Sequence, residues 1–203
     1  MVGSEVLDIC LGSHEIRSVT TIGRQKSGLE HTKLLEIEHD DFLDFSPIEH
    51  NLCELNMCLY CLGVYQAQVS QEKFWEITVD YLDALIRALE KTGPEIRFCL
   101  FSAQGASRSE RSLMRFAKAK GRAENLLLGS ILAEKYIFRP GYIKPGLKHL
   151  NTTTSAKIFE PIYRLFPAIG VDSEVLAKAM VDVGIHGHER TVLENRDLRM
   201  FTN

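Results

Sequence analysis

The sequence has no apolar stretch near the roughly 20 residues that cross a bilayer, and its first residues carry neither a basic n-region nor an apolar h-region. Membrane insertion and secretion are therefore set aside. An excess of one charge is missing too: across 203 residues, 24 Lys and Arg face 27 Asp and Glu, a formal net charge of -3. No surface field of the kind that holds phosphate backbones or anionic lipid follows from that balance, so nucleic acid and membrane surfaces are not expected partners. Internal repeats and low-complexity segments are absent. With 45% hydrophobic and 25% charged residues, the chain suits one well-buried core, and residues 1–203 are read as a single domain.

The cysteines are few and unpaired in pattern. Cys10, Cys53, Cys58, Cys61 and Cys99 make an odd number, and Cys58-Leu59-Tyr60-Cys61 is a CxxC without a second pair, so neither a disulfide framework nor a zinc ribbon is indicated. They are expected to be reduced, mostly buried thiols of a cytoplasmic protein. His149, His186 and His188 fall into no metal-ligand spacing with acids, and no metal is expected.

What is present is an alternation of short apolar runs with helical periodicity, which argues for βαβ units and an α/β fold with a largely parallel sheet. Strands are expected over 16–22, 33–38, 57–62, 96–101 and 136–138, each running into small or polar residues. Helices are expected over 71–92, where Trp75, Val79, Leu82, Ile86 and Leu89 recur at three- and four-residue steps before Gly93-Pro94, and over 109–131, with Leu113, Phe116, Ala119, Ala123 and Leu127 on one side. A third begins at Ser173, read as the cap of the series Val175, Leu176, Ala179, Met180 and Val183. Residues 144–170 read as irregular around one helix near 156–165, the natural place for a small substrate-side lid. The chain opens directly as a helix, with Ser4 as its expected cap and no strand in front.

Short motifs in a fixed order carry a likeness. They are Met1-Val2-Gly3-Ser4-Glu5-Val6-Leu7, Thr21-Ile22-Gly23-Arg24, Cys61-Leu62-Gly63, Phe101-Ser102-Ala103-Gln104-Gly105-Ala106, Lys120-Gly121-Arg122-Ala123-Glu124, Phe138-Arg139-Pro140-Gly141 and Val192-Leu193-Glu194-Asn195. Over nearly its full length the chain resembles the atypical short-chain dehydrogenase/reductase superfamily, in particular its small members similar to the Tat-interacting-protein oxidoreductase. The resemblance implies a Rossmann-like, doubly wound parallel sheet that binds NAD(P)H. Members begin with a central strand and a GxxGxxG turn, of which this sequence retains only the third glycine, Gly3. A start internal to a longer reading frame, a shortened chain and a decayed copy would each leave the sheet without its middle strand, with lower stability and weakened dinucleotide affinity as the expected result.

The resemblance also places the site. Arg24, directly after a strand, suits a ribose 2′-phosphate and points to NADP, with NAD the other cofactor in view; a solvated loop arginine is the bland reading. Asp41 is placed beside the adenine, with Asp40 competing and a helix cap as the alternative. Cys61, Leu62 and Gly63 are placed along the cofactor through their backbone, and Pro140 and Gly141 are counted with Ser102 and Lys120 among the cofactor-binding residues. Family members pair a serine with a tyrosine four residues before a lysine, whose charge lowers the phenol's pKa for proton transfer. Ser102 and Lys120 match, but Phe116 stands where the tyrosine belongs. Tyr65 and Tyr142 follow strand ends and are candidate substitutes. Two functions are carried forward: an NADP-dependent oxidoreductase acting on a small carbonyl or alcohol, and a non-catalytic dinucleotide-binding, redox-sensing protein with a protein partner.

Overall fold

The computed structural model describes residues 1–146 and 169–202. Helix α1 (Val2–Gly12) leads to strands β1 (Val19–Gly23) and β2 (Leu34–Glu38), a turn of tight helix, and β3 (Met57–Tyr60). Then come α2 (Gln71–Trp75), a π-helical turn (Glu76–Asp80), α3 (Tyr81–Thr92), β4 (Arg97–Phe101), α4 (Arg115–Gly129), β5 (Glu134–Arg139) and β6 (Tyr142–Lys144). The chain closes with β7 (Gly170–Asp172), α5 (Ser173–His186), β8 (Val192–Glu194) and the short α6 (Asn195–Leu198). The helix expected near 156–165 and most of the expected lid lie outside the described residues.

Every strand pair is parallel, as the alternation implied. The main sheet runs β3-β4-β5-β8, while β1-β2 and β6-β7 form separate pairs. Side chains alternate across the main sheet with the period of 2 that a strand imposes. Phe98 and Leu100 of β4 face a layer built from Leu82, Ile86 and Leu89 of α3 and Leu127 of α4. Cys99 faces the opposite layer, where Val2, Val6 and Cys10 of α1 meet Leu176, Met180 and Val183 of α5. Burying each such large side chain contributes about 1.5–3 kcal/mol, so the two layers hold the helices to the sheet.

The separation of β1 from β3 bears on the expected loss of a middle strand. Val19 N–H donates to Lys33 O and His39 N–H to Gly23 O, so in the parallel pattern the peptide groups of Thr20 and Ile22 point away from β2. Arg97 N–H donates to Asn56 O, which likewise turns Met57 and Leu59 away from β4. Among the described residues no strand pairs with either of these edges. Both strands nonetheless contribute to the same two layers: Val19, Met57 and Leu59 to one, Ile22 and Cys58 to the other.

Several local expectations need correction. Helix α4 begins at Arg115 rather than 109, because residues 107–114 form turns in which Glu110 takes a positive φ of 56°. Leu113, expected on the core side, is fully exposed. Ser4 is not the cap of α1: Met1 holds that position and Ser4 Oγ donates to Met1 O instead. Nor does Ser173 cap α5, since Asp172 precedes it as N-cap and the Ser173 hydroxyl donates to Glu5 Oε1 at 2.7 Å. The helix expected over 71–92 has those limits but is interrupted by the π turn.

Candidate functional site

The carboxyl ends of β3, β4 and β5 deliver their following residues to one side of the sheet, the edge at which open α/β sheets bind ligands. Ser102, the first residue after β4, is buried; its N–H donates to Phe138 O and its Oγ donates to Glu124 Oε1 at 2.6 Å. Glu124 is wholly buried on α4 and accepts from Arg139 at both oxygens, with Nε at 2.9 Å and Nη2 at 2.5 Å. Arg139 Nη1 reaches Glu194 Oε1 at 3.0 Å, and Arg108 Nε lies 3.9 Å from Glu124 Oε2. The hydrogen bonds that Arg139 donates to Glu124, against the cost of burial, hold the guanidinium's pKa well above its ordinary value. This chain of charges ties α4, β4, β5 and β8 together directly beneath the strand ends.

Lys120 stands one helical turn before Glu124. Its Nζ lies 3.4 Å from Phe101 O and 5.9 Å from the centre of the Phe101 ring. Desolvation draws its pKa down to about 8, with the nearby Glu124 charge opposing the shift. Lys120, Ser102 and Leu62 line one small cavity with Tyr60, Thr78 and Phe101, so three of the residues picked from the sequence are brought together. Gly121 lets α4 reach this position: a Cβ there would stand 1.9 Å from Ser107 O.

Other expected residues are placed around this centre. Gly3 packs its α1 terminus onto β3, where an added Cβ would lie 3.3 Å from Cys61 Cβ. Gly63 is exposed with open space about it, and Arg24 is exposed just past β1. Asp41 caps its own turn, its Oδ1 accepting from Leu43 N–H at 2.9 Å, which is the cap alternative noted for it; Asp40 is exposed beside it. Pro140 is buried, and Gly141 donates to Asn195 Oδ1 at 2.9 Å while its Cα faces Ile169 O so closely that a Cβ would stand 2.2 Å away. Phe116 stacks on Phe74 with ring centres 6.1 Å apart. Tyr65 is 59% exposed, and Tyr142 lies within β6. Among the described residues no group of three His, Cys, Asp or Glu side chains is arranged to hold a metal ion.

Sequence reasoning gave no role to Glu124, Arg139 or Tyr60. The signal for Glu124 was available: it lies between Ala123 and Leu127 on the buried stripe of α4, where a carboxylate demands a cation. Tyr60 gave none, because an aromatic ending an apolar strand reads as core.

The site fits a dinucleotide at several points. The first turn of α1 carries no side-chain cap, and Gly3 in that turn packs beside Cys61. Open space surrounds Gly63, and Lys120 presents a cation at the strand ends.

No protein-family model matches the sequence, and no curated protein matches it. Solved structures are. The Bordetella bronchiseptica enzyme WbmG in complex with NAD aligns with a TM-score of 0.67 at 14% identity, over 96% of this chain and 68% of that one. WbmH of the same organism in complex with NAD+ gives 0.70 at 16%, over 95% and 71%. A short-chain dehydrogenase/reductase from Saccharomyces cerevisiae gives 0.67 at 13%, over 100% and 95%. At such identities the likeness is one of fold: the chain has the Rossmann-like α/β fold of the short-chain dehydrogenases/reductases.

Proposed function

We infer that the chain binds a nicotinamide dinucleotide, NADP in preference to NAD, and is an oxidoreductase of the atypical short-chain type acting on a small carbonyl or alcohol. The observation that carries this reading is the meeting of Lys120, Ser102 and Leu62 at one cavity below the strand ends, in a fold whose solved relatives WbmG and WbmH hold NAD. The finer likeness, to the Tat-interacting-protein oxidoreductase, rests on the sequence motifs alone. In this reading the α1 terminus at Gly3 and the open backbone at Cys61, Leu62 and Gly63 hold the pyrophosphate, Arg24 pairs with the 2′-phosphate and Lys120 holds the nicotinamide ribose. Asp41 borders the adenine, and Pro140 and Gly141 also contact the cofactor. When bound, the nicotinamide supplies or accepts hydride.

A second reading, a non-catalytic dinucleotide-binding regulator of a protein partner, is favoured by Phe116 and by the commitment of the Ser102 hydroxyl to Glu124. Titration of the protein with NADPH and with NADH, followed through Trp75 fluorescence and checked by calorimetry, tests what both readings share. NADPH is expected to bind the more tightly, with that advantage lost in Arg24→Ala; no binding of either sinks both readings. Turnover of NADPH with a panel of small aldehydes and ketones then separates enzyme from regulator.

A further inference from the structure

Helix α4 and the loop before it form a surface that the dinucleotide reading leaves unused. Arg115, Lys118 and Arg122 recur at three- and four-residue steps along the exposed face of α4, and Arg108 and Arg111 stand exposed in the loop. Between them, where loop becomes helix, Leu113 is 100% exposed and Met114 is 66% exposed. The loop is braced: Ser107 N–H donates to Ala117 O at 2.8 Å, and Asn125 Nδ2 donates to Arg108 O at 2.9 Å. Leu113 thus stands in solvent on a held backbone, with no part of the described chain over it.

Glu110 is the one acid between Ser107 and Arg122, and it is taken up by Arg122 at 3.6 Å and Asn125 at 2.9 Å. Arg108 leans towards Glu124, 3.9 Å away. The Arg111 and Lys118 side chains make no ion pair or hydrogen bond among the described residues, and Arg115 acts only through space on Glu72. Three cations are thereby left without a contact partner beside two exposed apolar side chains. The formal charge of -3 is an average over the whole chain, from which this patch departs.

We propose that this surface docks on an anionic lipid bilayer, Leu113 and Met114 entering the boundary between headgroups and acyl chains while Arg111, Arg115 and Lys118 meet the anionic headgroups. The proposal stands apart from the oxidoreductase reading. Apolar side chains framed by long cations suit a membrane interface, where the cations' stems cover apolar surface and their heads stay wet. Each cation near such a surface strengthens binding about fivefold, so three give a preference over neutral lipid of about a hundredfold. Nucleic acid would meet the same cations but favours aromatic stacking surfaces, and Phe116, the one aromatic side chain of this stretch, is turned onto Phe74 instead. No helix among the described residues is long and apolar enough to cross a membrane, and the contact proposed is with the surface alone.

Co-sedimentation of the protein with lipid vesicles tests this. Vesicles of equimolar phosphatidylserine and phosphatidylcholine are expected to bind it about a hundredfold more tightly than vesicles of phosphatidylcholine alone, and to release it as salt is raised. Arg111→Ala combined with Lys118→Ala should weaken that binding about 25-fold, and Leu113→Ser about tenfold or more. All three positions are exposed, so the variants are expected to melt with the wild type. Equal affinity for the two kinds of vesicle, or none for either, overturns the proposal. So does binding that Leu113→Ser leaves intact, which would reduce the contact to attraction between charges. Wild type that passes the vesicles by also overturns it: binding of a single-stranded oligonucleotide through Arg111 and Lys118 would then assign the face to nucleic acid, and self-association dispersed by Leu113→Ser would assign it to a second copy of the chain.

Discussion

Among single residues, Glu124 has the most to lose. Its carboxylate is wholly buried and bridges Ser102 to Arg139. Removing its charge leaves the largely buried Arg139 guanidinium with only the half-exposed Glu194 as its anion, and breaking a buried pair from one side costs about 3–5 kcal/mol. Glu124→Gln is therefore expected to be destabilised by about that amount in urea unfolding, and wild-type stability would show the bridge to be dispensable. The thiols make a second test. Cys53 is exposed, Cys10 and Cys99 are buried, and Cys58 and Cys61 are held with pKa values of about 12, so the native protein should react rapidly with a thiol reagent at one position and at all five only once unfolded. The burial expected of Cys10 and Cys99 was legible from their apolar runs. The Glu124 bridge was not, because its partners Arg139 and Glu194 are distant in sequence and meet it only through strand order.

At the scale of elements, legibility followed length. Strands β1 to β4 and helices α3 to α5 were recognisable from runs of five residues or more, β5 only from its three inner residues 136–138, and the corrections fell on their ends. Strands β6, β7 and β8, of three residues each, are too short to display a period and went unpredicted. Helix α4 starts late because its amphipathic stripe continues in sequence through Leu113 while the chain is diverted into the turns before it; the Ser107 N–H donates to Ala117 O, inside the helix. Gly121 makes that approach feasible. Gly121→Ala would place a methyl against the Ser107 carbonyl, backbone that cannot rotate away, and is expected to lower the melting temperature sharply despite alanine's better helix propensity. A raised melting temperature would mean that the loop yields.

At the scale of the whole molecule, the fold class was legible and the division of its sheet was an expectation drawn from a resemblance. Because Thr20 and Ile22 direct their amides to the open side of β1, they should exchange with solvent faster than Val19 and Thr21, which face β2. Equal protection along the strand would mean that the edge is paired.

Buried groups also set the response to pH. Burial raises the pKa of Cys10 from 9.0 to about 11 and those of Cys58 and Cys61 to about 12, and it raises those of Cys99 and Tyr60 as well. In that range the folded state binds more protons than the unfolded, so the stability these groups contribute is complete below about pH 9 and is lost as pH rises towards 12. Lys120 acts the other way: its pKa falls from 10.5 to about 8, so its charge opposes folding below pH 8 and is relieved between those values. With five groups against one, urea midpoints are expected to hold up to about pH 9 and fall beyond it. A steady rise past pH 9 would contradict the burial of the thiols.

The account's central claim is that the strand ends around Leu62, Ser102 and Lys120, together with the first turn of α1, form a dinucleotide site. Hydrogen exchange with and without saturating NADPH tests it most directly. Protection is predicted at Gly3 and Ser4, at Cys61 to Gly63, and at Ser102 to Gly105. Binding without protection at these segments, or protection confined to other parts of the sheet, would contradict the claim.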